Sequence, residues 1–157
     1  MSPLARFLRC AAIAALVAGA GCSDSVSPGK TELVANRQKW ETQQLARYDF
    51  TLEMFCFCAI RGPIRVSVVN GAVVSAVELA NGGPIDPTWV PSIEGLFDFV
   101  ERGIADHALV LEVTYDPVMG YPRRIVYDRA ANIADEEVTY QVANVVRTAA
   151  GNTAPPR

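Results

Sequence analysis

Histidine is nearly absent from this chain, and clusters of basic residues are missing altogether. His107 is the one histidine among 157 residues, so the side chain that most often serves as general base or metal ligand is available at a single position. Only Arg123 and Arg124 place two basic residues side by side. Because a protein that binds phosphate backbones needs Lys and Arg gathered on one face, the sequence argues against a nucleic-acid partner.

Sequence motifs of catalysis are missing as well. The chain has no glycine-rich phosphate loop, no nucleophile elbow and no helix with metal-ligand spacing. The acidic run Asp135-Glu136-Glu137 is typical of a solvated strand end rather than of a general acid/base pair. We therefore expect a protein that is not an enzyme, with no catalytic residue, no metal and no cofactor.

Long apolar runs are limited to one, from Cys10 to Gly21, which follows the positive residues Arg6 and Arg9. This run is too short to span a bilayer and has the length of the apolar core of a secretory signal. Its small residues lead directly into Cys22, a pattern that resembles the bacterial lipobox, in which the cysteine thiol is lipidated. Gly19 stands where that motif usually has an aliphatic residue. The alternative is an ordinary secretory signal.

The leader determines the expected location. Loss of residues 1–21 leaves 12 of the 14 basic residues against all 17 acidic ones, a formal net charge of −5. An acyl anchor on Cys22, such as palmitate, would hold the protein to the lipid bilayer without a polybasic segment. Ser23 directly after it resembles the sorting pattern of outer-membrane lipoproteins. We therefore expect an outer-membrane protein that faces the periplasm, with the cell surface or secretion as alternatives.

The chain is long enough for one domain between two flexible ends. Ser, Pro and Gly after Cys22 predict a tether, and Pro155-Pro156 predicts a disordered tail. The predicted parts are a lipoprotein signal peptide (1–21), a flexible tether (22–30), a single α+β domain (31–150) and a disordered tail (151–157).

The domain is predicted to contain an internal duplication, with halves at about 31–80 and 90–146. At a constant offset of 59 residues, Leu52-Glu53 falls on Leu111-Glu112 and Pro63 falls on Pro122. Chance similarity between two amphipathic segments is the alternative. A true duplication makes each half one helix followed by three strands.

Local patterns support this unit independently. Thr31 to Ala46 predicts the first helix, and Ser92 is a natural N-cap for the second, in which apolar residues up to Ile104 recur at the helical period. Asn70-Gly71 suits a two-residue hairpin turn. Pairing outward from that turn places Val73, Ser75, Val77 and Leu79 on the core face. The last hairpin is expected from Arg123 to Asp128 and from Ile133 to about Val145.

The expected fold class is therefore α+β, in the order α-β-β-β-α-β-β-β. The strands form an antiparallel sheet, and two helices pack on one of its faces.

Residues across nearly the whole domain resemble a family of bacterial lipoproteins of unknown function. The resemblance rests on Trp40, Tyr48-Asp49-Phe50, Cys56-Phe57-Cys58, Val68-Val69-Asn70-Gly71, Leu96-Phe97, Tyr115-Asp116, Gly120-Tyr121-Pro122, Ile125 and Asp128. It implies no activity. The duplicated plan also looks like that of PepSY-type and β-lactamase-inhibitor-type domains, which is an analogy of fold alone.

Cys56 and Cys58 form the one Cys-x-Cys motif, and an exported protein meets an oxidising compartment. Residues two apart in a regular strand have Cα atoms about 6.6 Å apart, at the upper edge of the disulfide range, so a bridge requires the backbone to bend. A local structural disulfide, thiol–disulfide exchange and binding of a soft metal such as copper(I) stay open. For copper, Met54 shares the strand face with the cysteines, and Met119 is expected in the neighbouring loop. His107 is expected at the far end of its own strand.

Two regions are candidates for partner contact. Phe55 and Phe57 alternate away from the cysteines, and they lie either in an exposed aromatic patch or beneath the loop 81–91. Asp116 precedes Gly120-Tyr121-Pro122, which is first of all a turn that the Asp side chain caps. The alternative is a contact surface at the tip of this loop, with Tyr121 as its anchor.

Together these features predict a non-enzymatic, lipid-anchored envelope protein that binds another envelope protein or a small ligand. One alternative is a protein inhibitor on the duplicated fold, which would need rigid, exposed aromatic anchors. The other alternative is a thiol-redox or copper(I)-handling protein that uses Cys56 and Cys58.

Overall fold

The computed structural model describes residues 28–130 and 136–149. This part of the chain contains two α-helices, seven strands and one 3₁₀ turn. The helices are α1 (Pro28–Glu41) and α2 (Ile93–Ala105), and the 3₁₀ turn is Pro87–Trp89. The strands are β1 (Arg47–Phe55), β2 (Pro63–Val69), β3 (Ala72–Glu78), β4 (Pro84–Ile85), β5 (Val110–Tyr115), β6 (Pro122–Asp128) and β7 (Val138–Arg147).

All the described strands belong to one antiparallel sheet in the order β4-β3-β2-β1-β7-β6-β5. Strands β1 to β3 form one meander, and strands β5 to β7 form another. The two meanders meet where β1, the first strand of one half, pairs with β7, the third strand of the other. The predicted α+β fold and its order of elements are confirmed, and β4 and the 3₁₀ turn are additions between the halves.

The repeat offset is followed by the second strand of each half but not by the first strand. β2 and β6 both begin with a proline and span seven residues, 59 positions apart. In the first half, Leu52 lies opposite Ile64. The counterpart of Ile64 is Arg123, yet Leu111 lies opposite Tyr127, four residues further along β6. The ungapped alignment is therefore wrong for the first strand of each half, because β1 and β5 pair with their second strands in different registers.

Both helices pack on one face of the sheet, and the core lies between them and the strands. Ser92 caps α2 as predicted, because its Oγ accepts a hydrogen bond from the Gly95 N–H at 3.2 Å. The predicted apolar stripe of α2 is buried against inward-facing residues of the central strands, among them Tyr48, Phe50, Leu52, Ile64, Val66, Ile125 and Val142. No helix in the described ranges packs against the opposite face, which we call the helix-free face.

A β-bulge changes the predicted register of the β2–β3 hairpin. Val68 lies opposite Val73 as expected, but the register shifts at the next residue, and Ser67 lies opposite Ser75. Ala76 therefore faces the core and is buried. A bulge adds one residue to one strand and so reverses the face of every residue beyond it. The prediction was wrong for the residues beyond the bulge, Ser75, Val77 and Leu79, which leave the core face.

Helix α1 begins and ends earlier than predicted. It begins at Pro28, and proline suits the first turn of a helix because the N–H it lacks would be unpaired there anyway. Residues 28–30 are therefore helical rather than part of a tether. The helix ends at Glu41, and Gln44 with a φ of 48° redirects the chain toward β1.

Several predictions concern residues outside the described ranges. These are the signal peptide 1–21, Cys22 and the first part of the tether, Ile133 as the start of the last strand, and the tail 151–157. Within the described ranges, β7 begins at Val138.

Candidate functional site

The Cys-x-Cys motif lies where β1 leaves the sheet. The strand ends at Phe55, and the next four residues bend instead of continuing the ladder. The Cα atoms of Cys56 and Cys58 are 5.2 Å apart and their Sγ atoms 1.95 Å apart, at bonding distance. The bend that the sequence required for a bridge is therefore present, and the Cα atoms are closer than the roughly 6.6 Å of a regular strand.

Phe55 and Phe57 flank Cys56 and are exposed, by 51% and 82%. They line an open cleft of about 690 Å³, which we call the Phe55 cleft. The loop 81–91 does not cover them, since its strand β4 pairs with β3 at the far edge of the sheet. The cleft is lined by Phe55, Cys56, Phe57, Val110, Val126, Tyr127, Asp128, Glu137, Val138 and Thr139.

Cross-strand pairing brings five of these residues together on the helix-free face, namely Phe55, Val110, Val126, Asp128 and Thr139, whereas Tyr127 packs against Phe99 of α2 on the other face. Phe55 lies opposite Thr139 of β7, and Thr139 lies opposite Val126 of β6. Val110 lies opposite Asp128 at the end of the last strand pair. The sequence predicted the two phenylalanines, but the other lining residues depend on the order and register of β1, β7, β6 and β5.

The chemistry of the Phe55 cleft is that of a contact surface. Most lining residues are apolar or aromatic, the two charged ones are the carboxylates of Asp128 and Glu137, and none is basic. Apolar side chains together with two carboxylates suit a partner that offers apolar side chains and positive charge.

The structure does not bring Met119, one of the copper(I) ligands that the sequence left open, to the cysteines. Three antiparallel pairings separate β1 from β5, so these two strands run in opposite directions. Val110 at the start of β5 therefore lines the cleft beside Cys56, whereas Met119 lies in the turn at the other end of the β5–β6 hairpin. The expectation that Met119 neighbours the cysteines was wrong. Among the residues described, no three His, Cys, Asp or Glu side chains are grouped to hold a metal ion.

Asp116 forms the turn that the sequence predicted. Its Oδ1 accepts hydrogen bonds from the backbone N–H groups of Val118 (3.0 Å) and Met119 (2.8 Å). Its own N–H donates to the carbonyl oxygen of Tyr121 at 2.8 Å, and its carbonyl accepts from the Gly120 N–H at 2.9 Å. The carboxylate is therefore engaged within the turn.

The same turn docks helix α1 onto the sheet. Gly120 has a φ of +83°, and a Cβ there would clash with the carbonyl oxygen of Asn36 in α1. Lys39 Nζ donates to the carbonyl of Pro117 at 3.2 Å. Tyr121 is only 8% exposed, and its ring lies 6.2 Å from that of Trp40. Tyr121 is therefore a core residue at the opposite end of the sheet from Phe55, not an exposed anchor.

Neither α1 nor α2, the helices of the described ranges, is both long enough and apolar enough to span a membrane.

A family model matches the chain from α1 to the end of β7. The model is described as a family of unknown function, DUF6174, and the match covers residues 32–147 of the 157. The chain belongs to the DUF6174 family. Both halves of the sheet and the Phe55 cleft lie inside this DUF6174 domain. No curated protein and no solved structure matches the chain.

Proposed function

We propose that this DUF6174 protein is a lipid-anchored, non-enzymatic binding protein of the cell envelope, and that its partner binds in the Phe55 cleft. The observation that carries the proposal is the exposure of Phe55 and Phe57, which line the same open cleft. Exposed apolar patches rimmed by polar residues mark interaction sites, because burial against a partner removes apolar surface from water.

The Cys56–Cys58 bridge supports the proposal by holding the two rings in place. A covalent ring of this size leaves the backbone between Phe55 and Phe57 few conformations. A preorganised contact surface loses less conformational entropy on binding and therefore binds more tightly for the same contacts. In this proposal the bridge is structural, and it is oxidised in the envelope.

Affinity capture with matched baits tests the binding role. The full-length chain, a Phe55→Ser/Phe57→Ser variant and a Val34→Ser/Val118→Ser control are each expressed in the native envelope. The control removes two exposed apolar side chains outside the cleft. We expect a set of envelope proteins that the wild type and the control retain and the Phe55/Phe57 variant loses. If all three baits retain the same proteins, the cleft is not the binding site.

Metabolic labelling with a fatty-acid analogue tests the anchor separately. We expect the wild type and a Cys56→Ala/Cys58→Ala variant to be labelled, and Cys22→Ala to stay unlabelled. Label that persists in Cys22→Ala refutes lipidation at that position and leaves the binding proposal intact.

A protein inhibitor is the second candidate function, because exposed aromatic anchors on a rigid loop are also what an inhibitor needs. The capture experiment separates the two candidates. If a retained partner is an enzyme, its activity should fall on addition of the wild-type chain and not on addition of the Phe55→Ser/Phe57→Ser variant.

A further inference from the structure

The outer edge of β5 is a strand edge that has no partner among residues 28–130 and 136–149. Its equivalent in the first half, β1, pairs with β2 on one side and with β7 on the other. Among the described strands, β5 pairs with β6 alone. The opposite edge of the sheet differs, because β4 is two residues long and begins with Pro84, which has no N–H to offer a new strand.

Backbone hydrogen bonds show that the two first strands present equivalent edges. In β1, the Ala46 carbonyl accepts from the Asn70 N–H. By the alternation of an antiparallel ladder, the inward-facing residues of β1 therefore bond to β2, and the outward-facing residues bond to β7. In β5, the Leu109 N–H donates to the carbonyl of Arg129 at 3.3 Å. Val110, Glu112 and Thr114 therefore direct their N–H and C=O groups away from β6. They do so at the edge of β5 that corresponds to the β7 side of β1.

We propose that this edge pairs with the same edge of a second copy of the chain, antiparallel and with Leu111 opposite Leu111. Pairing of β5 with the far edge of another copy is blocked by β4 and Pro84. Pairing of β5 with β5 uses the same surface on both copies and closes as a two-fold dimer. The result is one continuous sheet, with α1 and α2 of both copies on one face.

Charge and apolar surface select the register. Continuous faces require each residue to lie opposite one of the same facing, and of the registers that satisfy this, those centred on Leu111, Glu112 or Val113 pair at least five residues of the ladder from Leu109 to Tyr115. The register centred on Glu112 places two like charges directly opposite each other, which is destabilising. The register centred on Val113 places Leu109 opposite Pro117 of the other copy, which lies in the turn after β5. The register centred on Leu111 instead places Leu109, which is 56% exposed, opposite Val113 of the other copy.

Cysteine cross-linking in the native envelope tests the dimer and its register. In a non-hydrogen-bonded pair, Cα atoms lie about 4.5 Å apart, so Leu111→Cys in the full-length chain should form a disulfide between copies. Val113→Cys is the matched control, because it shares the strand face and lies opposite Leu109 instead of itself. We expect at least about fivefold more cross-linked dimer for Leu111→Cys than for Val113→Cys or the wild type on non-reducing gels. Equal amounts overturn the proposal.

A proline substitution provides the second variant. Because the N–H of Glu112 points away from β6, Glu112→Pro removes a donor at the outer edge and none that the sheet uses. We expect this change to abolish the Leu111→Cys cross-link while the thermal midpoint stays within a few degrees of the wild type. Cross-linking that persists overturns the proposal.

Sedimentation of the purified full-length wild type provides a readout that needs no cysteine variant. We expect a concentration-dependent dimer that the Glu112→Pro variant lacks. A monomer at concentrations up to about 1 mM overturns the proposal.

Discussion

The hydroxyl group of Tyr48 donates a hydrogen bond to Oε2 of Glu94 at 2.5 Å, which ties strand β1 to the first turn of helix α2. The hydroxyl oxygen of Tyr48 also accepts a hydrogen bond from the Ile93 N–H at 3.1 Å. Trp40 Nε1 donates to the other carboxylate oxygen of Glu94 at 3.0 Å. One carboxylate therefore joins α1, β1 and α2, at a helix N-terminus where negative charge is favourable.

Tyr48→Phe should lower the free energy of unfolding by about 1–3 kcal/mol. The change removes two hydrogen bonds from a fully buried position and leaves the Ile93 N–H without its acceptor. Tyr127→Phe is the matched control, because the Tyr127 hydroxyl bonds to none of the other described residues, and it should change the free energy by less than about 0.5 kcal/mol. Urea denaturation measures both. Equal losses in the two variants would show that the network contributes nothing.

Stability should fall as the pH rises from 10 toward 12. Burial raises the pKa of Tyr48 well above its ordinary value of 10, and the carboxylate of Glu94 raises it further. Burial also raises the pKa of Tyr115 to about 12. Above pH 10 the unfolded chain therefore releases tyrosine protons that the folded chain keeps. The stability present below pH 10 is lost as the pH rises toward the tyrosine pKa values of the folded chain.

Thermal unfolding between pH 8 and pH 12 checks this dependence. The midpoint should decline above pH 10, and it should decline less steeply in Tyr48→Phe, which lacks the most strongly shifted group. A wild-type midpoint that stays level to pH 12 would contradict the prediction.

Gly120→Ala should be far more harmful than Gly71→Ala, although both glycines have a positive φ, +83° and +77°. At Gly71 no atom lies within 4 Å of the added Cβ, so the change costs only the left-handed backbone, about 1–2 kcal/mol. At Gly120 the Cβ meets the Asn36 carbonyl oxygen and must also displace α1, which adds about 1–3 kcal/mol. The difference between the denaturation midpoints of the two variants measures this docking contact.

Cys56→Ser/Cys58→Ser should cost little stability, about 1–2 kcal/mol, because the closed ring is very small. Its effect on binding should be larger, since Phe55 and Phe57 lose the constraint between them. Alkylation of the purified chain, read by mass spectrometry, should label these positions only after a reductant is added. Labelling or copper(I) uptake without a reductant would favour the redox or copper-handling alternative.

Local patterns in the sequence predicted most of the elements. Ser92 as an N-cap, the apolar stripe of α2, the Asn70-Gly71 turn and the cap of Asp116 all depend on neighbours within a few residues, and all are present. The elements that the sequence did not predict have physical causes as well. The bulge opposite Ser67 adds Val74 to β3, and no turn residue in the sequence marks it.

The candidate site was predictable only in part. Phe55 and Phe57 follow from alternation along one strand, but Val126, Asp128 and Thr139 join them through the order in which the meanders meet. Tyr121 was misplaced for the same reason, since only the docking of α1 covers it. Exposure depends on what lies above a residue, and sequence periodicity does not encode that.

The sequence by itself determined the kinds of element, their order, the closely spaced cysteines and the absence of a catalytic motif, because each is a matter of residue type and short-range spacing. Tertiary structure decided the rest. The pairing of β1 with β7 brings the two halves together, forms the Phe55 cleft from four strands and places β5 at the edge of the described sheet. These features arise from contacts between residues far apart in the chain, whose free energy depends on the whole packed sheet.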